Sequence, residues 1–542
     1  MSSRNGRNFL HYVSILLATM GMVLCLFGIA TAGAGEAPEK THDDPWYSFF
    51  WPLGERTEVQ TLKDEYVPFR TERGSGTPEQ DAAAGEPKNT WFSTLFALGG
   101  DQDQLKEDFS PLDTTRDLPP RPTLMAELGD GFLDTGKLDA GFEVPVIGAV
   151  WQPRLWSYLI YRTAIQTFDS GAPGVERETE WAHRLDLFVN LQLTGTEKIL
   201  LGLRPLDNNR PNQFTRYTIS GRNEGFNDEL NYIPETLFFE GDLGSLFPVL
   251  DRAGVIPLDF GFTVGRQPIT FQEGILINDT LDAVGLIRNN IPFPGLSNLR
   301  VAGLWAWNRV DRNDLSRNSD EDLFALFTGA DAHVSTYALD LIYVRDDGNG
   351  DGFYFGASSI QRIAAWDGIS TAFRINGSVA LEDEIPGNPG NVVGDGVLLT
   401  AEFSKHPHGS DDIVYFNPFL AIGNFTQAGR EPVVGGPLAN TGILFASPAL
   451  ANYGAEINPF TDDDVGAAIG YQAFWDNNRR NLILEIAGKH NYGGDGFDSL
   501  GFGFQLQQAV GQHVQLQFEA FYTLNEDRSD GLGARAEVQV VY

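Results

Sequence analysis

The residues that could bind a metal ion form one short acidic motif. Asp347, Asn349 and Asp351, followed by Gly352, match the first half of a calcium-binding loop. Ser358 occupies the position at which such a loop needs a bidentate glutamate. Asn and Asp beside glycine are also what a tight hairpin turn requires, so the motif favours a turn, with calcium as the weaker alternative.

The histidines and the cysteine supply no catalytic or metal-binding pattern. His406 and His408 lie two residues apart in a polar stretch, and their spacing indicates no third ligand. No serine motif links another histidine to a hydrolase triad. Cys25 is the only cysteine, and the residues before it lack the small side chains of a lipoprotein box. The sequence therefore predicts neither an enzyme nor a bound metal or cofactor.

A larger set of charged and amide residues recurs at every second position, opposite apolar residues. Arg184 and Asp186, for example, alternate with Leu185 and Leu187. A strand repeats every two residues, so each such segment has one apolar and one polar face. The polar faces predict a water-lined interior with these candidates: Arg162, Arg184, Asp186, Arg204, Asp340, Arg374, Glu402, Glu485, Gln505, Gln507, Gln515, Gln517, Glu519, Arg535, Glu537 and Gln539.

Arg266 is a further, ambiguous candidate. Strict alternation groups it with Phe260, Phe262 and Val264 on an apolar face, whereas a bulge near Gly265 would turn it inward. For every charged candidate the alternative is a salt bridge to a neighbouring strand, which stiffens a wall and selects nothing.

The segments that position these residues predict an all-β fold, a closed transmembrane antiparallel barrel. Each covers roughly nine to thirteen residues, the length at which a tilted strand crosses a bilayer. We expect about 16 strands, with about 14 to 18 as the range, because boundaries read from one sequence are approximate. Long polar connections are expected at Asp311 to Asp331 and Gln427 to Asp464. A soluble β-sandwich or propeller is the alternative, but it would not need charge and glutamine on one face of almost every strand.

The end of the chain shows the same pattern. A soluble strand in this place would leave an unprotected edge, whereas in a barrel it would pair with the first strand. Its apolar face consists of Ala534, Ala536, Val538, Val540 and Tyr542, and Arg535, Glu537 and Gln539 form the other face.

The beginning of the chain predicts export. Arg4 and Arg7 precede an apolar stretch and the small residues Ala32–Gly33–Ala34, which indicates a signal peptide over residues 1–34. A signal anchor is the alternative. Residues 35–122 are acidic and Pro-rich with poor alternation, so we expect a periplasmic extension that could plug the barrel. The barrel is expected over residues 123–542.

Composition narrows the class of partner. The formal net charge of −35 argues against nucleic acid, because phosphate binding needs a basic surface. Acidic loops could hold divalent cations at the cell surface. Glycine at 60 residues and aromatics at 12% agree with many strands, tight turns and interfacial aromatic girdles.

Two stretches resemble the alginate-export family of outer-membrane barrels. Val264 to Ile277 resembles that family's glycine–arginine–glutamine strand with an aromatic turn, and Leu185 to Pro205 resembles one of its hairpins. The resemblance implies a monomeric outer-membrane barrel that passes a solute or polysaccharide. The aromatic Tyr542 also resembles the signal that the barrel insertion machinery reads.

Together these observations predict an outer-membrane channel for small hydrophilic solutes or oligo- or polysaccharide, with a lumen of mixed charge that is rich in amides. Its expected surroundings are outer-membrane lipid and lipopolysaccharide. A dedicated conduit for polyanions would need net positive charge at its constriction, which these candidates do not supply. The alternative from another class is a non-conducting barrel scaffold that binds periplasmic or surface partners, such as a secretion or electron-transfer component.

Overall fold

The structure is a computed structural model. It describes residues 122–129, 141–174, 176–208, 214–251, 258–315, 321–363, 369–381, 392–407, 410–476, 478–494, 496–526 and 528–542. The expected signal peptide, nearly all of the expected extension, and His408 lie outside these residues. No helix in the described part of the chain is long and apolar enough to cross a membrane.

Eighteen antiparallel strands form one closed barrel, in which each strand pairs with its neighbours in chain order. They are β4 (Arg154–Asp169), β5 (Glu178–Gln192), β6 (Lys198–Leu203), β9 (Pro234–Asp242), β10 (Gly261–Phe271), β11 (Ile277–Arg288), β12 (Asn298–Asn308), β13 (Asp322–Ala332), β14 (Ser335–Arg345), β15 (Gly352–Ile363), β16 (Ile369–Ala380), β17 (Gly396–Lys405), β18 (Ile413–Gly423), β19 (Asp464–Trp475), β20 (Arg480–Asn491), β21 (Ser499–Val510), β22 (Val514–Asn525) and β23 (Gly531–Val541).

The remaining elements are short. They are β1 (Ala126–Leu128), β2 (Phe142–Glu143), β3 (Val150–Trp151), β7 (Arg216–Ser220), β8 (Gly225–Asn227), the helix α1 (Leu243–Leu246) and two 3₁₀ turns at Pro248–Asp251 and Gln272–Gly274. The β7–β8 hairpin pairs through β7 with the first residues of β5, which the short β6 does not reach.

The barrel closes where β23 pairs with β4. The register runs from Leu532 opposite Asp169 to Val541 opposite Ile160, and Tyr542 exchanges two backbone hydrogen bonds with Leu159 at 2.8 and 3.0 Å. β1 pairs with the first residues of β4, next to the end of β23. The expected pairing of the last strand with the first strand of the barrel is therefore confirmed.

The outward face is apolar and carries aromatic side chains near both ends. Trp305, Phe324 and Tyr343 stack in a row at one end, with centroid separations of 6.5 and 6.4 Å. Phe373, Phe403 and Phe416 form a second row at the other end, with separations of 5.7 and 6.1 Å. An apolar band between two aromatic rows is typical of barrels that sit in a membrane.

The connections differ between the two ends. We call the end at which β6, β12, β16 and β18 finish the long-loop end, and the other the short-turn end. Residues 424–463, which follow β18, are the longest described connection at the long-loop end. The short-turn end includes the turns at 333–334, 476–479 and 511–513, as well as Tyr542. One longer connection, between β9 and β10, also lies at this end and contains α1.

Two expectations about strands need correction. The barrel has 18 strands, which is the upper end of the expected range rather than its centre of about 16. The expected connection from Asp311 to Asp331 is wrong, because β13 occupies Asp322–Ala332. That strand lacks polar alternation: Leu323 and Phe327 are buried inside the barrel, while Phe324 and Leu326 are exposed outside. Its inner face is apolar because protein, not water, lies against it.

Candidate functional site

Residues 424–463, which connect β18 to β19, fold into the barrel, and we call them the lumen segment. Inward-facing side chains of the first two barrel strands hold its middle. Three of them donate to successive backbone carbonyls: Arg162 to Pro448 at 3.0 Å, Arg184 to Ala449 at 3.1 Å and Gln166 to Leu450 at 2.9 Å.

The wall on the other side of the lumen segment also holds it. The Glu485 carboxylate of β20 accepts hydrogen bonds from the backbone N–H groups of Ile443 and Leu444, both at 2.9 Å. It also accepts one from the Tyr415 hydroxyl. Polar contacts thus fix the lumen segment to both β4–β5 and β18–β20.

Apolar side chains fill the space between the lumen segment and β17–β22. Six of its residues are almost fully buried in one cluster with inward residues of the wall such as Phe419 and Phe521. These six are Phe425, Leu438, Leu444, Phe445, Tyr453 and Ile457. Burying large side chains stabilises this arrangement by roughly 1.5–3 kcal/mol for each one.

A second, shorter connection also turns inward: residues 272–276 between β10 and β11, which we call the inward turn. Gln272 and Glu273 have positive φ angles of 52° and 55°, an uncommon conformation outside glycine. The Gln272 amide donates to Asp340 of β14 at 2.6 Å. The side chains of Gln427 and Asn440 in the lumen segment donate to backbone carbonyls of the turn, so the two inward parts are joined.

Inward charges on β4, β22 and β23 form the first ion cluster, the Arg535 cluster. Arg535 contacts Glu519 at 2.8 Å and Glu537 at 2.6 Å, and Glu537 also contacts Arg162 at 2.6 Å. The Arg535 guanidinium lies 5.5 Å from the ring centre of Tyr453 in the lumen segment. The amides of two further predicted candidates, Gln505 and Gln517, donate to Glu519 at 3.2 and 3.3 Å.

Glu456 of the lumen segment lies beside the Arg535 cluster. Burial, and secondly the charge of Glu519, raise the pKa of Glu456 well above its ordinary value. A carboxyl group placed among other carboxylates favours its protonated form.

The second cluster, the Arg184 cluster, joins β5 and the end of β6 to the lumen segment. Asp186 contacts Arg184 at 2.9 Å and Arg204 at 3.0 Å, and Arg204 contacts Glu431 at 2.8 Å. Burial alone would raise the pKa of Glu431, but the Arg204 guanidinium outweighs this effect and the pKa lies below its ordinary value.

The third cluster, the Arg374 cluster, joins β16 and β17 to the inward turn. The Arg374 guanidinium contacts both Glu402 and Glu273. The Arg374 side chain is 1% exposed, whereas those of Glu273 and Glu402 are 38% and 33% exposed. The cation is therefore covered and the two carboxylates reach water.

Further ion pairs and hydrogen bonds stabilise the long-loop end. Arg312 and Asp346 pair at 3.1 Å with almost no exposure, and Arg309 pairs with Glu235 at 3.0 Å. In the lumen segment, the backbone N–H of Arg430 donates to the Asp311 carbonyl at 2.7 Å, and burial lowers the pKa of its guanidinium to about 10.

Arg266 faces outward, not inward as a bulge near Gly265 would have turned it. The register is continuous through Gly265, and Arg266 stands between Leu237 of β9, which is 46% exposed, and Asp282 of β11. It therefore keeps the outward face, where it contacts Asp282 at 2.8 Å. The positive φ of 123° at Gly265 distorts the strand without reversing its faces.

The weak calcium candidates lie in the connection between β14 and β15, which is built as a turn. The Asp346 carboxylate accepts from the backbone N–H groups of Gly348 and Asn349 at 2.9 and 3.0 Å. Asp351 accepts from the backbone of Asp346 at 2.9 Å, and Asp347 is exposed. Across the described ranges, no group of three or more His, Cys, Asp or Glu side chains is arranged to hold a metal ion.

Sequence reasoning missed the groups that the loops supply: Glu273, Arg430, Glu431, Tyr453 and Glu456. A signal was present in the lumen segment. Leu438, Leu444, Phe445 and Ile457 are unusual in a connection exposed to water and indicate a buried surface.

No family model and no curated protein matches this chain, so the resemblance to the alginate-export family finds no support. Solved structures with a similar fold include Acinetobacter baumannii OccAB3, with a TM-score of 0.48 and 12% identity over 72% of this chain and 99% of that one. A BenF-like porin from Pseudomonas fluorescens Pf-5 and the outer membrane protein opdK from Pseudomonas aeruginosa each have a TM-score of 0.47 and 11% identity, over 72% of this chain and 98% of theirs.

Proposed function

We propose that this protein is an outer-membrane channel through which small hydrophilic solutes, or oligosaccharides, diffuse passively. The observation that carries the proposal is a closed wall with an apolar outer face and a charged inner face that holds one of its own loops. Such a wall separates lipid from a polar lumen, and a loop folded inside narrows the passage and sets its preference.

The orientation follows from the two ends. Bacterial outer-membrane barrels have short periplasmic turns and longer extracellular loops, so the long-loop end faces outward from the cell. Solutes entering there meet the lumen segment and the inward turn before the short-turn end. Ten inward candidates contact these parts, or one another, and belong to the wall around this path, although most of them are buried. They are Arg162, Arg184, Asp186, Arg204, Arg374, Glu402, Glu485, Glu519, Arg535 and Glu537.

Planar-bilayer recording of the refolded full chain tests the proposal. We expect stepwise, passive conductance from the full chain, and a larger conductance when residues 434–456 are replaced by a short Gly-Ser linker. A matched replacement of Tyr492–Gly494, at the same end but outside the lumen segment, should leave conductance near its original value. A membrane that stays sealed at all voltages with both the full chain and the shortened chain contradicts a channel.

The buried apolar cluster between the lumen segment and β17–β22 is the observation that favours the second candidate, a non-conducting scaffold. The same recordings separate the two. A sealed full chain together with a conducting shortened chain would mean that the lumen segment closes the barrel at rest.

A further inference from the structure

We propose that the passage prefers cations, and that Glu273 and Glu402 are the carboxylates that set this preference. The inference rests on the proposed channel function and names its solute class: small solutes that are cationic or neutral rather than anionic.

The arginines of the Arg535 and Arg184 clusters are covered and neutralised. In the Arg535 and Arg184 clusters each arginine contacts at least one carboxylate at 3.0 Å or less. Their side chains are between 2% and 18% exposed. An anion crossing the lumen would therefore have to break an existing ion pair to reach one of these guanidinium groups.

The Arg374 cluster has the opposite arrangement. One guanidinium, 1% exposed, lies against two carboxylates that are 38% and 33% exposed. One positive and two negative side chains leave one negative charge in excess, and it is carried by the groups that water and solutes reach.

The position of these carboxylates places the excess charge on the path. Glu273 belongs to the inward turn, and its backbone carbonyl accepts a hydrogen bond from Asn440 of the lumen segment. Glu402 lies four residues along β17 from Leu398, which is fully buried against the lumen segment. The pair therefore stands where the inward-folded parts end and the open part of the lumen begins.

Charge at such a point has a large effect on ions. Walls of low dielectric constant concentrate the field of an uncompensated charge and raise the local concentration of its counter-ions. Rings of Asp and Glu side chains produce cation preference in channels by the same physics.

The test is the reversal potential of the refolded full chain under a KCl gradient. We expect the sign of the reversal potential to show that K⁺ permeates more readily than Cl⁻. The permeability ratio of K⁺ to Cl⁻ should fall at least about twofold in both Glu402→Gln and Glu273→Gln. The control is Glu240→Gln. This residue pairs with Lys198 at 2.6 Å, is 37% exposed and stands apart from the lumen segment and the inward turn, so its ratio should stay near that of the unchanged protein.

Each variant keeps one carboxylate on Arg374, so neither leaves that cation buried alone. A Cl⁻ preference of the unchanged chain, or ratios that remain unchanged in both variants, would overturn the inference. A sealed membrane would instead contradict the channel itself, so the two failures can be told apart.

Discussion

Single arginines join the wall of this barrel to the segments folded inside it. Arg535 is 4% exposed and contacts two carboxylates as well as the face of Tyr453. A buried ion pair adds little net stability compared with apolar packing, but removing one partner leaves an uncompensated charge buried. The energetic importance of these residues therefore appears when one of them is removed.

The first prediction concerns Arg535. Arg535→Gln leaves Glu519 and Glu537 buried with only Arg162 nearby, so the unfolding free energy should fall by on the order of 3–5 kcal/mol. Denaturant or thermal unfolding of the barrel in detergent measures this change. Arg345→Gln is the control, because Arg345 pairs with Asp322 at 2.9 Å but is 52% exposed, and its removal should cost about 1 kcal/mol or less. Equal losses in the two variants would argue against a buried cluster.

The second prediction is a pH dependence that belongs to Glu456, which faces Glu519, Arg535 and Tyr453. Its folded-state pKa lies above the ordinary glutamate value of about 4.3, so the folded state binds this proton more tightly than the unfolded state. The resulting stability is fully present below about pH 4.3 and is lost as pH rises through the raised pKa.

Glu456→Gln cannot ionise and should keep this stability at every pH. The measurement is the unfolding temperature of both proteins over a pH series. We expect the unfolding temperature of the variant to rise relative to that of the unchanged protein as pH rises. Parallel curves of unfolding temperature against pH for the two proteins would contradict this assignment.

Among single residues, alternation sorts the charges of a strand by face, because the period of two decides the face. It could not predict what they contact. The partners of Arg184 and Arg204 include Ala449 and Glu431 in the lumen segment, and the position of a loop does not follow from a two-residue period.

At the scale of elements, the strands that the sequence obscured are those whose inner face packs against protein through apolar side chains. Ile277, Leu281 and Ala283 of β11 are buried inside the barrel, while Val284 and Leu286 are exposed outside, so apolar side chains predominate on both faces. β13 has the same character. Polar alternation disappears where apolar side chains of the wall, such as Leu281 and Phe327, pack in one cluster with Leu276 of the inward turn and Ala428 of the lumen segment. β4 and β5 keep their alternation, because they hold the lumen segment with polar side chains.

The third prediction concerns β10, in which a glycine sits in a backbone conformation that other residues rarely adopt. Gly265 has a φ of 123°, and a Cβ atom there would lie 2.4 Å from the carbonyl oxygen of Leu237 in β9. Gly265→Ala should therefore weaken the β9–β10 pairing and lower the unfolding free energy by about 1–3 kcal/mol.

Gly303→Ala in β12 is the matched control for this prediction, because a Cβ atom there meets nothing within 4 Å. Its effect should stay within about 0.5 kcal/mol. Heat-dependent gel mobility and denaturant unfolding of both variants measure the difference. A Gly265→Ala barrel as stable as the control would mean that β9 and β10 are not paired in this register.

At the scale of the whole molecule, closure between β23 and β4 distinguishes a membrane barrel from an open sheet. Closure removes both unpaired edges, which a lipid environment requires, since no water there can satisfy backbone groups. The same pairing brings residues separated by almost the entire barrel sequence into contact, such as Ile165 and Ala536.

The fourth prediction tests this closure and its register. Ile165→Cys and Ala536→Cys, introduced together in a Cys25→Ser background, place two thiols directly opposite each other on the outward face. Opposed residues of antiparallel strands are about 4.5–5.5 Å apart, within the range of a disulfide. Mild oxidation of the folded protein should therefore link them, and mass spectrometry of a digest should recover the joined peptides.

The control pairs Ala536→Cys with Tyr161→Cys, on the same face but four residues along β4, which is too far for a disulfide bond. A disulfide in the control but not in the test pair would mean that β23 and β4 pair in a different register. No disulfide in either pair would mean that the barrel is open at this seam, which would remove the basis for a channel.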